Sequence, residues 1–457
     1  MGKSLHIQGL KGTKFSQQLR GVNLEQVLIV AIDAAKLHQK ALICNYFGDI
    51  IAKPFFFSVN HSGMQMLYDA IEQAVVSTGA VRLFLGIEAT GHYYEDIVRE
   101  MAKQGYLVQI LNAYTTFEER ASALNWCKTD DLDLVAIAHA LKNNKATEFR
   151  LAEGLRRQLH VLTRARRSEI RKRSTLRMEI RTLMDIVWRE FQGYADHQHG
   201  RAQKIKVFSD FWGKASLFFM EHYPHPAAIC KLGETGLREL SIQHNLKLRA
   251  TAIRKLLQVA TESLSSDEQT LRPELLLLRM KLQDLRAFDT KIHILEQEIE
   301  GLLLQTDGRL LLTVPGLGVS TAAELYAEMG DVSHYTHAGQ LIKKAGTNPV
   351  VKQTGGGAGS YRKISKQGNS HLRYVAFLAG RSLCLHNPDL RPFYERLKNR
   401  GKHPRSIFVA MGNKVLKIAF AMLRDKKPFL SAKPTCSLAQ EINKKLRYSC
   451  FLTSDVA

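Results

Sequence analysis

The chain has 457 residues, more than one hydrophobic core normally holds, so about two to four domains are expected. Its 45% hydrophobic content is that of a folded protein and argues against a disordered one. Lysine and arginine number 65 against 43 acidic residues, a net charge of +22, which points to a polyanionic partner: nucleic acid first, an anionic membrane surface second. No apolar run reads as long enough to span a bilayer, and MGKSLHIQGLKGTKF lacks a signal-peptide core. Six scattered cysteines without CxxC pairs fit the reduced thiols of a cytoplasmic protein.

Residues 1–25 are polar and read as a flexible leader. EQVLIVAIDAAK is a buried strand ending at Asp33, and KALICNYF and DIIAKPFFFSV are further strands separated by a GD turn. SGMQMLYDAIEQAVVS reads as a helix with Ser62 as N-cap. VRLFLGIEA is a strand ending at Glu88, GHYYEDIVREMAKQG a helix closed by Gly105, and YLVQIL a last strand before the helix in CKTDDLDLVAIAHAL. The order over 26–150 predicts an α/β domain with a mixed sheet.

From 151 the texture changes. Residues 151–306 begin with an Arg-rich helix, Arg156 to Arg181, whose density of one-sign charge favours contact with a nucleic-acid backbone over a merely solvated face. They end with Leu285, Phe288, Ile292, Leu295, Ile299 and Leu302, spaced three and four apart as in a coiled-coil seam through which the chain could self-associate. Residues 307–425 read as a mainly helical domain containing VPGLGVSTAAELYAEMG and the Gly-rich NPVVKQTGGGAGSYRKISKQGNSHLR. Residues 426–457 form a basic tail.

Three aspartates within four positions are conspicuous on so basic a chain. On a helix, Asp130 and Asp133 share a face, whereas Asp131 points about 100° away from Asp130 and reads as a solvated first-turn residue. Asp33 and Glu88 each close an apolar strand, the end of an α/β sheet where ligands commonly bind. For any one acid a cap or surface charge explains it; four held together need a hard divalent cation, Mg2+ or Mn2+, which can polarise a phosphodiester.

VAIDAAK, GIEATGHYYE and KTDDLDLVAIAHAL, followed by VPGLGVSTAAELYAEMGD, the NP loop and RKISKQGNSHLR, closely resemble transposases of the IS110 group, over most of the chain from Val27 to Leu423. The resemblance implies a RuvC-like, RNase H-fold domain at 26–150, whose DEDD tetrad maps onto Asp33, Glu88, Asp130 and Asp133. It further implies a coiled coil and a C-terminal transposase domain. Members are DNA recombinases, at least some guided by a structured non-coding RNA, so DNA, a guide RNA and a homo-oligomer are the expected partners, with no membrane, at the nucleoid. The family's nucleophile is a serine five residues after the loop proline; counting from Pro349, Thr354 stands there. Its methyl crowds the approach, which Gly355, Gly356 and Gly357 would ease. Thr354 as nucleophile, a shifted Ser360, and an impaired copy all remain open.

Arg362, Lys363 and Lys366 are candidates to clamp the phosphate, and Arg373 a second one. The Gly316–Gly318 turn resembles a helix-hairpin-helix that holds a phosphate on backbone N–H groups, although a tight interhelical connection explains it nearly as well. A RuvC-type nuclease using water alone, or a binding scaffold with a decayed site, are the alternatives.

Overall fold

The computed structural model describes residues 9–89, 91–122, 129–148, 154–196, 203–352 and 360–430. The chain divides into two compact units, 1–152 and 153–457.

The first unit is built on a mixed sheet. Its strands are β1 (Val27–Asp33), β2 (Gln39–Asn45), β3 (Ile50–Phe57), β4 (Arg82–Glu88), β5 (Val108–Leu111) and the two-residue β6 (Thr147–Glu148). Their order is β3-β2-β1-β4-β5-β6, with β1, β4 and β5 parallel and β2 antiparallel to β1. This arrangement is consistent with an RNase H-like fold. β1 is central and buried on both sides, which is why VLIVAI is continuously apolar rather than alternating. Leu28, Val30 and Ile32 face a core shared with helices α2 (His61–Thr78) and α3 (Tyr94–Lys103). Val27, Ile29 and Ala31 face the other way, towards α5 (Asp130–Lys142). At Gly86 the sheet and α5 approach so closely that a Cβ would stand 2.6 Å from a Leu141 methyl.

Three details depart from the sequence reading. Residues expected to be a flexible leader include helix α1 (Gly9–Leu19), whose Phe15 and Leu19 pack on the α5 side of the sheet. The N-cap of α2 is Asn60, which accepts a 2.8 Å hydrogen bond from Gly63 N–H, rather than Ser62. A helix not foreseen, α4 (Ala113–Ser122), stands between β5 and α5.

The second unit is mostly helical. Its long helices α6 (Gly154–Val187) and α10 (Arg272–Leu304) lie against each other. Leu271, just before α10, and Leu278, Leu285, Ile292 and Ile299 within it are all buried, a spacing of seven that keeps one stripe inward. At one end the pair contributes to an aromatic-rich core with Trp188, Phe191, Phe208 and Phe219. That core also takes in α7 (Lys214–His222), α8 (Pro226–Gln243) and α9 (Ala250–Thr261), next to a small hairpin, β7 (Ala195–Asp196) and β8 (Gln203–Lys204).

At the other end, Leu159, Ile299 and Leu303 join a second core. This is formed with α11 (Val319–Met329), α12 (Gly339–Ala345), α13 (Ser370–His386), α14 (Arg391–Asn399) and α15 (Pro404–Asp425). Between α12 and α13 runs a second hairpin, β9 (Pro349–Lys352) and β10 (Ser360–Ile364). The expectation that no apolar segment is long enough to span a bilayer needs correction: among the described helices α15 is, by length and composition. Its Ile407, Met411, Val415 and Phe420 are buried in this core against α13, so the apolar stripe is already used.

Candidate active site

Sheet register places the strand-end acids. Ile32 pairs with Ile87 on parallel neighbours, and Asp33 and Glu88 are the next residues of their strands. Side chains alternate between faces along a strand, so Asp33 shares the face of Val27, Ile29 and Ala31. Glu88 is paired with Leu111, which belongs to the same core. Both carboxylates therefore stand at one end of the sheet face that α5 covers, and both are half-buried.

The start of α5 is brought to that end. Thr129 caps the helix, accepting a 3.3 Å hydrogen bond from Leu132 N–H. Lys40 lies opposite Asp33 in the β1–β2 register, and its ammonium is 2.5 Å from Asp131. The first turn of α5 thus reaches the β2 neighbour of Asp33. Asp131 is exposed, as expected, and so is Asp130, whereas Asp133 is buried.

The side chains engage local partners. Arg120 of α4 stands 2.6 Å from Asp133, both side chains largely buried. Thr116 of α4 donates a short hydrogen bond to Glu88. Among the described residues, no group of three or more His, Cys, Asp or Glu is gathered so that it could hold a metal ion. Asp33, Glu88 and the first turn of α5 are thus brought to one end of one face, while Asp133 and Glu88 are turned towards a cation and a hydroxyl supplied by α4. A carboxylate leaving water takes the nearest compensating group. The donor chemistry itself, carboxylate oxygens on β1, β4 and α5, suits a hard divalent cation.

Lys40, Thr116 and Arg120 were not singled out from the sequence. The one available signal was Asn112, whose side chain accepts from Tyr114 N–H at 2.9 Å and marks the start of α4.

In the second unit, Thr354 lies outside the described residues, and the side chains of Ser360 and Arg362 are outside them too. Lys363 and Lys366 are exposed. Arg373 is spent on the backbone, donating to the carbonyls of Ala345 and Lys366 at 3.0 Å each, so it braces the loop before α13. Gly316 has φ +95°, where a side chain would be strained. Its carbonyl accepts from Ser382 at 2.6 Å and the Pro315 carbonyl accepts from Asn387 at 2.9 Å, tying the turn to α13. Gly318 opens α11 with no side-chain cap and with open space above it.

Part of the charge of the Arg-rich helix is met within its own unit: Arg164 makes two hydrogen bonds to Glu328, Arg166 pairs with Glu296, Arg167 with Glu324 and Arg173 with Asp289, while Arg157, Arg171 and Lys172 are exposed. Asn369, the N-cap of α13, donates to Glu328 at 2.7 Å, joining the segment after β10 to this network. Burial alone would raise the Glu328 pKa, but the hydrogen bonds and charges of His160 and Arg164 outweigh it and hold the carboxyl well below the usual range. Glu324 goes the other way, raised by burial and by Glu328 against the pull of Arg167.

Two family models match the chain. Residues 308–395 match the "Transposase IS116/IS110/IS902 family", and residues 30–189 match a transposase model of the IS110 DEDD type. The insertion element IS116 uncharacterized 44.8 kDa protein of Streptomyces clavuligerus is 25% identical over 236 residues, 51% of this chain and 58% of its own length. The insertion element IS110 uncharacterized 43.6 kDa protein of Streptomyces coelicolor is 29% identical over 219 residues, 46% and 52% of the two chains. The pilin gene-inverting protein of Moraxella bovis is 28% identical over 152 residues, 32% and 47%. The chain thus spans about half the length of the curated relatives it matches. Matched in order by models for both its sheet-bearing part and its C-terminal helical part, the chain belongs to the IS116/IS110/IS902 family of transposases.

Proposed function

We propose that the protein is an insertion-sequence transposase that cuts and rejoins DNA by attack of a side-chain hydroxyl on a backbone phosphate. The observation that carries this reading is the placement of Asp33, Glu88 and the first turn of α5 at one end of one face of an RNase H-like sheet, in a chain matched by a DEDD-type transposase model. A relative bearing the name of a pilin gene-inverting protein agrees with recombination as the outcome.

On this reading Asp33, Glu88, Asp130 and Asp133 hold Mg2+ or Mn2+, which when bound polarises the phosphodiester and offsets charge on the attacking and departing oxygens. In the structure Asp133 is paired with Arg120 and Glu88 accepts from Thr116, so a cation held there would compete with these two groups. Thr354 is the nucleophile: its Oγ forms a bond to phosphorus, its proton goes to solvent or a neighbouring base, and one DNA oxygen leaves. The bond energy is kept as a phosphoester between protein and DNA. Lys363 and Lys366 hold the phosphate with Arg362, Arg373 keeps their loop in place, and the open N-terminus of α11 at Gly318 takes a further phosphate. The buried stripe of α10 supports a coiled coil with α6. A homo-oligomer and a structured guide RNA complete the proposed assembly, acting at the nucleoid in the cytoplasm.

The test is covalent capture. Labelled DNA carrying the element ends, incubated with protein and Mg2+, should yield a protein–DNA adduct whose phosphopeptide maps to Thr354. Thr354→Ser should keep the adduct and Thr354→Ala should lose it. An adduct surviving in Thr354→Ala and lost in Ser360→Ala would move the nucleophile to Ser360. Free 5′-phosphate ends without any adduct would instead indicate a water-using nuclease.

A further inference from the structure

The row of residues that crosses the sheet at the carboxylate end does not stop at Asp33. Asp33 is opposite Lys40, and Lys40 is opposite Phe56 on the edge strand β3, so the three stand side by side on one face. The Lys40 ammonium, which is largely buried and paired with Asp131 at 2.5 Å, lies 4.9 Å from the centre of the Phe56 ring, and His38 meets the ring edge-on at 6.1 Å; a phosphate arriving here would share Lys40 with Asp131. Phe56 is 54% exposed, whereas Phe57, turned to the opposite face, is 4% exposed and part of the core. α5 covers β1, β2 and β4. Exposed Lys36 and His38, in the β1–β2 connection, add positive character beside it.

One exposed phenylalanine is normal on a protein surface and by itself needs no explanation. A phenylalanine in register with a lysine and then with a strand-end carboxylate is a different object. It is an aromatic face and a cation about 10 Å or less from Asp33, given strand spacings of about 4.8 Å. Aromatic rings beside basic groups are how proteins seize unpaired nucleotides, because every base offers a π-face.

We propose that Phe56 and Lys40 form a platform for one unpaired nucleotide of the DNA strand presented to the carboxylates, the base stacking on Phe56 and its phosphate facing Lys40. The proposal rests on the DNA-cutting reading and adds to it a determinant of where the strand lies. An opened strand, rather than an intact duplex, would then be the species engaged at this end of the sheet.

The probe is a short single-stranded oligothymidylate bearing one 5-iodouracil, bound to the full chain in Ca2+ and irradiated. The crosslink should map to Phe56. Phe56→Ala, whose exposed side chain leaves the core intact, should weaken binding by about 5- to 100-fold. Phe56→Trp should restore it, and Lys40→Ala should lower the salt slope by about one. Crosslinks confined to other segments, with affinity unchanged in Phe56→Ala, would overturn the platform while leaving adduct formation, and hence the enzymatic reading, standing. A change in oligomeric state without a change in DNA affinity would assign Phe56 to contact with a second copy instead, and also overturn it. If the wild type neither binds DNA nor forms an adduct, the enzymatic reading fails and the platform falls with it.

Discussion

Replacing Glu328 by glutamine would leave three neighbours facing an amide in place of a carboxylate. The Glu328 side chain is fully buried; it accepts from Arg164 at 2.7 and 3.1 Å and from Asn369 at 2.7 Å, with His160 at 3.6 Å. Arg164 is itself 39% exposed and can recover water, so losing the charged acceptor costs about 1–3 kcal/mol rather than the full penalty of a pair buried on both sides. The same geometry sets a pH dependence. The folded carboxyl titrates well below its unfolded counterpart, so the unfolded state binds the proton first. The contribution of Glu328 is therefore complete above the unfolded value of about 4.3 and shrinks as pH falls below it towards the folded pKa.

Urea denaturation of wild type and Glu328→Gln, followed by the buried Trp188 of the same unit, measures both effects. The difference should be about 1–3 kcal/mol at pH 7 and clearly smaller at pH 3.5. A cost under about 0.5 kcal/mol, or one that does not change with pH, would refute the reasoning by showing that Glu328 behaves as an ordinary surface ion pair.

Asp133→Asn should abolish strand cleavage, whereas Asp131→Asn, which removes an exposed carboxylate and leaves Lys40 free for a phosphate, should retain most activity; nicking of supercoiled plasmid bearing element ends compares them. In Arg120→Ala, the buried Asp133 loses the guanidinium beside it, so unit 1 should be less stable and should gain more melting temperature from added Mg2+ than wild type does. Equal gains in the two proteins would argue against any metal contact at Asp133. A Cβ at Gly380 would lie 2.2 Å from the Phe408 carbonyl oxygen and 2.6 Å from Gly412 N, so Gly380→Ala should cost about 3 kcal/mol or more. Gly301→Ala, in open space on α10, should instead stabilise by about 0.5–1 kcal/mol, which calorimetry would show.

What was legible in the sequence followed from burial. β1 and β4 are apolar on both faces over their buried stretches, so Asp33 and Glu88 were conspicuous as the charges that close them. The spacing of Asp130 and Asp133 on a capped helix was equally plain, and so was the inward stripe of α10. What stayed hidden depended on partners remote in sequence. Arg164 and Arg167 look like a basic face until Glu328 and Glu324, over 150 positions downstream, fold against them. α4 was missed because it is short and buries only Thr116 and Glu119, so it shows no apolar period. The row from Asp33 to Phe56 is invisible without register, since hairpin pairing alone decides which residues stand side by side.

If acids on β1, β4 and α5 form one cation site, Mn2+ added to the full chain should bind there, which electron paramagnetic resonance reads. A bound-ion signal is expected in the wild type and should disappear in Asp33→Asn, in Glu88→Gln and in Asp133→Asn alike, while Asp131→Asn keeps it. A signal indifferent to Asp33 and Glu88, or one lost only with Asp131, would contradict a single site.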